Sequence, residues 1–357
     1  VATAARGTTT YTVDAKVADE PILSFRQGGS SWQQLFNPTY VEPTAATSMK
    51  PGLLVRSQNC SLTTGRCGPT CAGTGDHASW LTWAELQDDG LGGTPSIVNH
   101  VGADSAVFGP FDCSADPQCP DAKGTEDPRL TYDEETGTYF LLYNAWSDKG
   151  VVLSVASTKT PMDRGGWTRH GELFPGKGLR SYKSGSVVLR PAPDEHLVIW
   201  GCAGELQITP SVDRNLTAWN FSASKVLFTT RKAPYWDTGF VESAMPPLPL
   251  SDGNLLFFYN SVGPWNGTHG FQPGWVVLDG ADPSTVVARS ETPPLPYTLP
   301  WEAGVAPWPC NTRNVANLGG GHAVGKDTFR VYFGGADAVV GTAIISVTVG
   351  AADSNTT

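Results

Sequence analysis

The stretch GTEDPRL, residues 124–130, places two adjacent carboxylates, Glu126 and Asp127, in front of a Pro-Arg pair. A carboxyl group can give or take a proton in a reaction when its pKa is moved toward neutrality. The charge of Glu126 would raise the pKa of Asp127, and the charge of Arg129 would lower it. The alternative is an ordinary Asp-Pro turn in which Arg129 pairs with Glu126. The stretch is therefore either an acid–base site or a surface turn.

The residues that follow this pair predict a β-hairpin. The run LTYDEETGTYFLLYNAW alternates apolar and polar residues and turns at Gly137. The acidic pair therefore lies where a loop enters a sheet. Catalytic residues often occupy such positions, because the sheet holds the loop rigidly.

The rest of the chain repeats this kind of element. Apolar runs that end in polar or aromatic residues recur as GLLVRSQN, YFLLYNAW, HLVIWGCA, NLLFFYNS and FRVYFGGAD. Their central residues lie 57 to 88 residues apart and are Val55, Tyr143, Trp200, Tyr259 and Tyr332. Five units of this length predict a five-bladed β-propeller. A β-sandwich is the competing all-β fold, and repeats of this length fit it poorly.

Composition agrees with an all-β protein. The 357 residues include 40 Gly and 28 Pro, spread along the chain without a linker-like block. We therefore expect one propeller domain over 1–357, with its core at about 24–348 and a Cys-rich insertion near 60–75. Polar residues at the strand ends would converge on the central channel. Four of the five runs supply such a residue, namely Arg56, Asn144, Asn260 and Asp337, for which ordinary strand-end polarity is the alternative.

Charge and hydropathy exclude several classes of partner. The net charge of −10 disfavours nucleic acid, because a phosphate backbone needs a basic face. No apolar run reaches the length of a membrane span. No cluster of metal ligands stands out, so we expect no obligatory cofactor. The sequence indicates no particular oligomeric state.

Cysteines and glycosylation sequons predict a secreted protein. Local Cys clusters predict disulfides, with Cys113–Cys119 as the favoured pair, and they comprise Cys60, Cys67, Cys71, Cys113 and Cys119. A zinc site is the weaker alternative, because the clusters lack a matching second pair. Cys202, in an apolar run, is expected to be the buried unpaired thiol. Sequons stand at Asn59, Asn215, Asn220, Asn266 and Asn355. We expect an extracellular protein whose signal peptide has been removed.

Several ordered motifs resemble glycoside hydrolase family 130, the β-mannoside phosphorylases and β-mannosidases. They are WQQLFNPTYV with LLVRSQN, GTEDPRL, YWDTGFVESAMPPLPLSDGNLLFFYNS, GWVVLDGADPSTVVARS, WEAG with RNV, and VYFGGADAVVGTA. The resemblance implies a five-bladed propeller that acts on an oligosaccharide or glycan. It also implies that Asp127 is the general acid, thought in this family to work through a sugar hydroxyl.

The resemblance further places Asn37, Arg56, Asn144 and Asp337 around the sugar. Aromatic rings can cover sugar C–H groups, which makes Trp236, Trp265 and Trp301 candidates for stacking on the sugar. Tryptophan also packs in hydrophobic cores, which is the alternative for each of them. The remaining predicted substrate-binding residues are Glu126, Arg129, Lys183, Asp237 and Asn260.

Two departures from the family's phosphorylase pattern favour hydrolysis. VESAMPP replaces the phosphorylase-like GxGPPP and brings in Glu242, while YNS replaces YHG and puts Asn260 where a His is typical. A phosphorylase binds phosphate with cations, and Lys183 and Arg313 could still do so. A hydrolase needs a base that activates water, for which Glu242 is the first choice and Glu302, in WEAG, the second.

The prediction is therefore a secreted β-mannosidase that inverts the anomeric centre and acts on chain ends. Inversion requires the carboxyl groups of Glu242 and Asp127 to lie roughly 6.5–9.5 Å apart. The alternatives are a phosphorylase that releases mannose 1-phosphate and a non-catalytic carbohydrate-binding propeller. A propeller family acting on furanosides is a further alternative, which the GGADAVVGTA ending disfavours.

Overall fold

A computed structural model describes residues 9–24, 32, 34–58, 79–87, 93–110, 121–180, 182–304 and 312–351. The two Cys clusters lie outside these residues, as do the sequons at Asn59 and Asn355. The disulfides predicted at Cys60, Cys67, Cys71, Cys113 and Cys119 therefore stay predictions. Within the described ranges, no helix is long and apolar enough to span a membrane.

The described strands form five sheets, named blades 1 to 5 here. Blade 1 holds β2 (Gln34–Val41), β3 (Gly52–Gln58), β4 (Trp80–Gln87), β5 (Ser96–Ile97) and β6 (Ala106–Phe108). Blade 2 holds β7 (Gly124–Asp133), β8 (Thr138–Ser147), β9 (Gly150–Thr158) and β10 (Thr168–Glu172). Blade 3 holds β11 (Gly185–Val188), β12 (Leu197–Trp200), β14 (Glu205–Val212), β15 (Asn215–Trp219) and β16 (Lys225–Thr229).

The last two blades contain the longest strands. Blade 4 holds β13 (Cys202–Ala203), β17 (Phe240–Ser243), β18 (Leu248–Pro249), β19 (Leu255–Trp265), β20 (Thr268–Leu278) and β21 (Val286–Arg289). Blade 5 holds β22 (Ala316–Gly325), β23 (Thr328–Gly335), β24 (Val339–Ala351) and β1 (Thr9–Val17). Three short 3₁₀ helices, Ala45–Thr47, Ala103–Ser105 and Phe221–Ala223, interrupt the described loops.

Strand β1 closes the ring, because it pairs antiparallel with β24 and so completes the blade that contains β22 and β23. The five apolar clusters of the described residues lie between neighbouring blades: 1 and 2, 2 and 3, 3 and 4, 4 and 5, and 5 and 1. Each blade therefore buries both faces, which explains strands such as LLFFY that are apolar at consecutive positions. A closed ring of five such contacts is a five-bladed propeller, as the repeat predicted.

The first long strand of each blade lines the channel. Strands β2, β7 and β22 contact one another, and β11 contacts both β7 and β17. These strands all run from the same end of the channel, so their N-terminal residues converge there. Asn37 and Asp127 lie in the N-terminal halves of β2 and β7, and Arg56 and Asn144 lie beside them on the next strands, β3 and β8.

Candidate active site

Backbone irregularities aim the site residues into the channel. Asn37 and Asp127 have left-handed backbone, with φ of 44° and 48°, and each lies at a register shift of its strand. Ser184 precedes β11 with φ 61°, and Asp337 lies in the β23–β24 turn with φ 52°. The left-handed conformation costs free energy for residues other than glycine, and such strain concentrates at functional sites. Bulges of this kind re-aim a side chain that a regular strand would point elsewhere.

The carboxylate of Asp127 is the centre of the site. Asn37 Nδ2 donates to its Oδ1 at 2.7 Å, and Arg56 Nη1 donates to the same oxygen at 2.8 Å. Asn144 Nδ2 donates to Oδ2 at 2.9 Å. Asp127 itself is buried. Three residues predicted around the sugar therefore come from blades 1 and 2 and meet at the predicted acid.

Arg56 also binds the second carboxylate of the EDPR motif. Its Nη2 lies 2.5 Å from Glu126 Oε1, which accepts a further hydrogen bond from Ser79 Oγ at 3.0 Å. Ser79 in turn accepts a bond from Arg56 Nε at 3.2 Å. The partner of Glu126 is therefore Arg56 on the neighbouring blade. The Glu126–Arg129 pair of the surface-turn alternative is wrong.

The pKa values of the two adjacent carboxyl groups, Glu126 and Asp127, shift in opposite directions. Burial raises the pKa of Glu126, and the charge of Asp127 adds to this, against the opposing charge of Arg56. Burial acts on Asp127 too, but the charges of Arg56, Lys183 and Arg129 outweigh it and hold the pKa of Asp127 well below its usual range. Asp127 is therefore a carboxylate before substrate binds. To act as an acid it must gain a proton as the sugar enters and displaces these contacts.

A second group of residues surrounds Glu242 on β17. Lys183 Nζ lies 3.4 Å from Glu242 Oε2, and Ser184 Oγ donates to the same oxygen at 3.3 Å. The charge of Glu242 raises the pKa of Lys183, and Asp127 contributes in the same direction. Ser184 N donates to Asn144 Oδ1 at 2.9 Å, which ties this group to Asp127. Asp127 and Glu242 therefore belong to one buried cluster of side chains.

Cys202 was expected to be a buried unpaired thiol, and the structure confirms that it is unpaired but not that it is fully buried. It is the unpaired cysteine of the described residues, it is half-buried, and its strand β13 pairs with β17 so that Cys202 stands opposite Glu242. Its thiol hydrogen-bonds to Glu242, and burial together with the charge of Glu242 raises the pKa of Cys202 to about 12. Sequence reasoning also missed Ser79 and Ser184, because no local motif marks them.

Arg129 and Asp337 complete the site. Arg129 is fully buried, its Nη1 donates to the carbonyl of Pro128 at 3.0 Å, and its charge acts on both Asp127 and Glu242. Asp337 feels the charges of Arg56 and Asp127, and burial raises its pKa against a hydrogen bond from Thr312. Both predicted residues therefore lie within electrostatic reach of Asp127.

Five predicted site residues have structural roles instead. Trp236 is buried between blades 3 and 4 and stacks on Tyr259, and Trp301 is buried between blades 4 and 5 against Phe333. Neither ring has a free face for a sugar, and Trp265 also packs on the core that holds Trp236. Asp237 and Asn260 are fully bonded by protein partners: Arg231, Arg289 and Tyr259 for Asp237, and Asn317 and Leu318 for Asn260.

Glu302, the second choice for the base, holds a turn. Its Oε2 accepts hydrogen bonds from the backbone N–H groups of Thr298 and Leu299, each at 2.8 Å. Burial raises the pKa of Glu302 to about 7, against these two hydrogen bonds. None of these causes involves a residue of the group around Asp127. The prediction of Glu302 as a catalytic base is therefore not supported by its contacts.

Glu302→Gln should change the pH dependence of stability and leave cleavage activity within about twofold. The folded-state pKa of Glu302 lies above the ordinary value of 4.5, so its stabilisation is complete below pH 4.5 and is lost as pH rises through about 7. The wild type should therefore lose up to ~3 kcal/mol relative to the Gln variant over this range. Urea unfolding of both proteins at pH 5 and pH 8 measures this. A large loss of activity in Glu302→Gln with unchanged stability would contradict it.

Three of the predicted glycosylation sites can be placed. Asn215, Asn220 and Asn266 are exposed, as an attached glycan requires. Exposure alone does not show modification, so glycosylation and secretion stay predictions.

A family model described as β-1,4-mannooligosaccharide phosphorylase matches residues 117–349, about two thirds of the chain. The chain belongs to glycoside hydrolase family 130. The family resemblance of the sequence motifs is thereby confirmed, and the matched range contains Asp127, Lys183, Glu242 and Asp337.

Individual relatives of this family 130 protein agree with the family assignment and the fold. It is 28% identical to a 1,2-β-oligomannan phosphorylase of Thermoanaerobacter sp. (strain X514) over 229 residues, which cover 63% of this chain and 69% of that protein. A solved structure from work on family 130 glycoside hydrolases that target β-1,2-mannosidic linkages in Candida mannan matches with TM-score 0.68 and 21% identity, covering 95% of this chain and 94% of that one. A Listeria innocua β-1,2-mannobiose phosphorylase matches with TM-score 0.64 and 17% identity, covering 88% and 89%. The two structures support the propeller fold.

Proposed function

We propose that this protein cleaves β-mannosidic linkages in oligosaccharides, with Asp127 as the group that protonates the departing oxygen. The observation that carries this proposal is one buried cluster of side chains. It contains a carboxylate held by Asn37, Arg56 and Asn144 and a second carboxylate, Glu242. Two carboxyl groups in one site are what glycosidic cleavage by inversion needs. The family and the names of its curated relatives support mannosides as the substrate class.

We propose water as the acceptor, activated by Glu242. The carboxylate of Glu242 neutralises Lys183, a cation that the sequence offers for phosphate. The site as a whole places Glu126, Asp127, Glu242 and Asp337 against Arg56, Arg129 and Lys183. A phosphate dianion would enter a site in which every one of these cations already faces a carboxylate, and repulsion from Glu242 would weaken its binding. Attack by water on the face opposite the leaving group inverts the anomeric centre.

Phosphorolysis is the second candidate, and the curated relatives favour it over hydrolysis. Both are named as phosphorylases, one of β-1,2-oligomannan and one of β-1,2-mannobiose. One feature of this site also favours it. Arg313 is exposed, forms no ion pair with a described residue, and follows Thr312, which hydrogen-bonds to Asp337. Phosphate bound by Arg313 would need Lys183 to turn away from Glu242.

Product analysis with and without inorganic phosphate separates the two reactions. Purified protein is incubated with β-1,2-mannobiose and β-1,4-mannobiose, and the products are followed by ³¹P and ¹H NMR. Hydrolysis predicts free mannose whose first-formed anomer is α, at a rate that phosphate does not change. Mannose 1-phosphate in proportion to added phosphate would establish phosphorolysis instead. Binding without cleavage of either substrate would indicate a non-catalytic carbohydrate-binding propeller.

A further inference from the structure

A second cavity, of about 620 Å³, opens at the other end of the channel. All five blades contribute to it, through residues that follow the active-site residues along the same strands or the segments after them. They include Tyr40, Tyr132, Leu189, Pro247 and Gly320. Tyr132 is five residues beyond Asp127 on β7, which corresponds to about 16 Å at the rise of an extended strand. The cavity is therefore separate from the active site.

Tight packing narrows the channel between the two ends. A Cβ atom on Gly319 would lie 2.3 Å from the carbonyl oxygen of Pro38 and 3.2 Å from Arg129 Nη1. Strands β22 and β2 therefore approach backbone to backbone, in a space that admits no side chain at Gly319. The guanidinium of Arg129 lies beside this contact and is buried. A ligand in the second cavity would not extend from the active site through this point.

One wall of the cavity presents hydrogen-bond acceptors. Glu42 and Glu134 line it, and neither has an ion-pair or hydrogen-bond partner for its carboxylate among the described residues. The neighbouring acids are occupied: Asp133 accepts bonds from Glu135 N and Thr136 Oγ1, and Glu135 pairs with Arg214. Glu42 and Glu134 therefore remain available to a ligand.

The cavity wall also presents a donor. His196 is buried, and its Nδ1 accepts a hydrogen bond from the backbone N–H of Arg190 at 3.1 Å. A neutral imidazole that accepts at Nδ1 carries its proton on Nε2. No described residue accepts that proton, and His196 lines the cavity. A buried donor without a protein partner is satisfied by water or by a ligand.

Aromatic rings supply flat surfaces in the same cavity. Tyr40 is partly exposed and stacks on His322 with ring centroids 4.0 Å apart. Tyr132 is partly exposed and packs against Tyr139 at 4.6 Å. Carboxylate acceptors, an imidazole donor and tyrosine faces together match a ligand that donates, accepts and offers C–H groups. A pyranose has all three, whereas a simple organic cation would leave His196 unpaired.

We propose that this cavity is a second carbohydrate site that binds a neutral pyranose unit of an oligosaccharide. Its hydroxyl groups would donate to Glu42 and Glu134 and accept from His196, while its C–H face packs on Tyr132. Such a site would hold another part of a long glycan, or a separate glycan chain, while the active site cleaves its substrate. The proposal rests on the proposed function only for the choice of a mannosyl probe.

Calorimetric titration tests the proposal. The probes are β-1,2-mannotriose, cellotriose, xylotriose and glucosamine, and the protein carries Asp127→Asn so that no probe is consumed. At least one neutral trisaccharide should bind at a second class of site. Tyr132→Leu should weaken binding at that class of site about tenfold, because a stacked ring is lost while an apolar side chain is kept. Glu42→Gln, at an exposed residue, should weaken the same class without a risk to folding.

Controls separate this result from loss of the proposed function. Tyr235→Leu removes an exposed tyrosine elsewhere and should leave both classes of site unchanged. Without the Asp127 change, Tyr132→Leu should leave cleavage of mannobiose unchanged, and the binding result does not depend on whether that cleavage occurs. A single class of site for every probe would overturn the proposal. So would a second class that Tyr132→Leu and Glu42→Gln leave intact, or one that takes glucosamine alone.

Discussion

Asp127→Asn is expected to lower the rate of β-mannoside cleavage at least about a hundredfold, the contribution typical of a positioned acid. The amide keeps the shape of the side chain, and its oxygen can still accept a hydrogen bond from Arg56. Its NH₂ group then faces the donor Nδ2 of Asn144, and it cannot release a proton to the departing oxygen. Because Glu126 still pairs with Arg56, the fold of the site should survive. Initial rates on mannobiose, with a thermal melt of each protein, measure the effect.

The leaving group shows whether the lost role is protonation. A substrate with a nitrophenolate leaving group needs little protonation, so Asp127→Asn should slow it much less than it slows mannobiose. Asp148→Asn is the matched control, since this acid is exposed on the same blade and should leave both rates unchanged. Equal losses on both substrates would mean that Asp127 binds the sugar and that another group is the acid.

The resting charge of Asp127 constrains how it can act. Arg56, Lys183 and Arg129 hold it ionised, so the acid form must arise after binding. A bound sugar that excludes water raises the pKa of a carboxyl group, and hydroxyl groups that compete for Asn37 and Asn144 remove bonds that favour the anion. The sequence showed that neighbouring charges would pull on Asp127 in both directions. It could not show which would win, because Arg56 and Lys183 come from other blades.

The fold was predictable because each blade repeats a local pattern. Apolar runs closed by turn residues mark strands, and their repetition at blade length specifies a ring without knowledge of any contact. The residues around Asp127 were found through family motifs, which record positions that converge only in the fold. No family motif marked Cys202 or Ser184 as part of the site. Cys202 reaches Glu242 because β13, at the end of a blade 3 segment, pairs with β17 of blade 4.

The tryptophan predictions failed for a physical reason. An indole ring serves equally well as a sugar platform and as the filling between two sheets, and the sequence around it is similar in both cases. Trp236 and Trp301 lie in the gaps between blades, where large rings are needed to fill the space. Glu302 misled in a similar way, since a carboxylate that accepts two backbone N–H bonds stabilises a turn and needs no substrate.

Glu242→Gln is expected to have the second large effect, and it tests whether water is the acceptor of the sugar. If Glu242 is the base, the amide cannot take a proton from water, and hydrolysis should fall by about a hundredfold to ten-thousandfold. Sugar binding should persist, because Asn37, Arg56 and Asn144 remain. The change also leaves Lys183, which is partly exposed, without its ion-pair partner, and this lowers the stability of the folded protein. The double variant Glu242→Gln with Lys183→Met removes the charge of Lys183, and it should regain thermal stability without regaining activity.

A small nucleophile then identifies what Glu242 does. In Glu242→Ala, azide can occupy the space of the lost carboxylate and the water, and it attacks the anomeric carbon without losing a proton. The bond to the departing oxygen breaks, and Asp127 protonates that oxygen. An inverting hydrolase should therefore give α-mannosyl azide and recover part of its rate.

If the variant instead gains mannose 1-phosphate formation when phosphate is added, Glu242 was the barrier to phosphate and water is the natural acceptor. Phosphorolysis already present in the wild type and unchanged in Glu242→Ala would exclude Glu242 as the base and place this protein with its phosphorylase relatives.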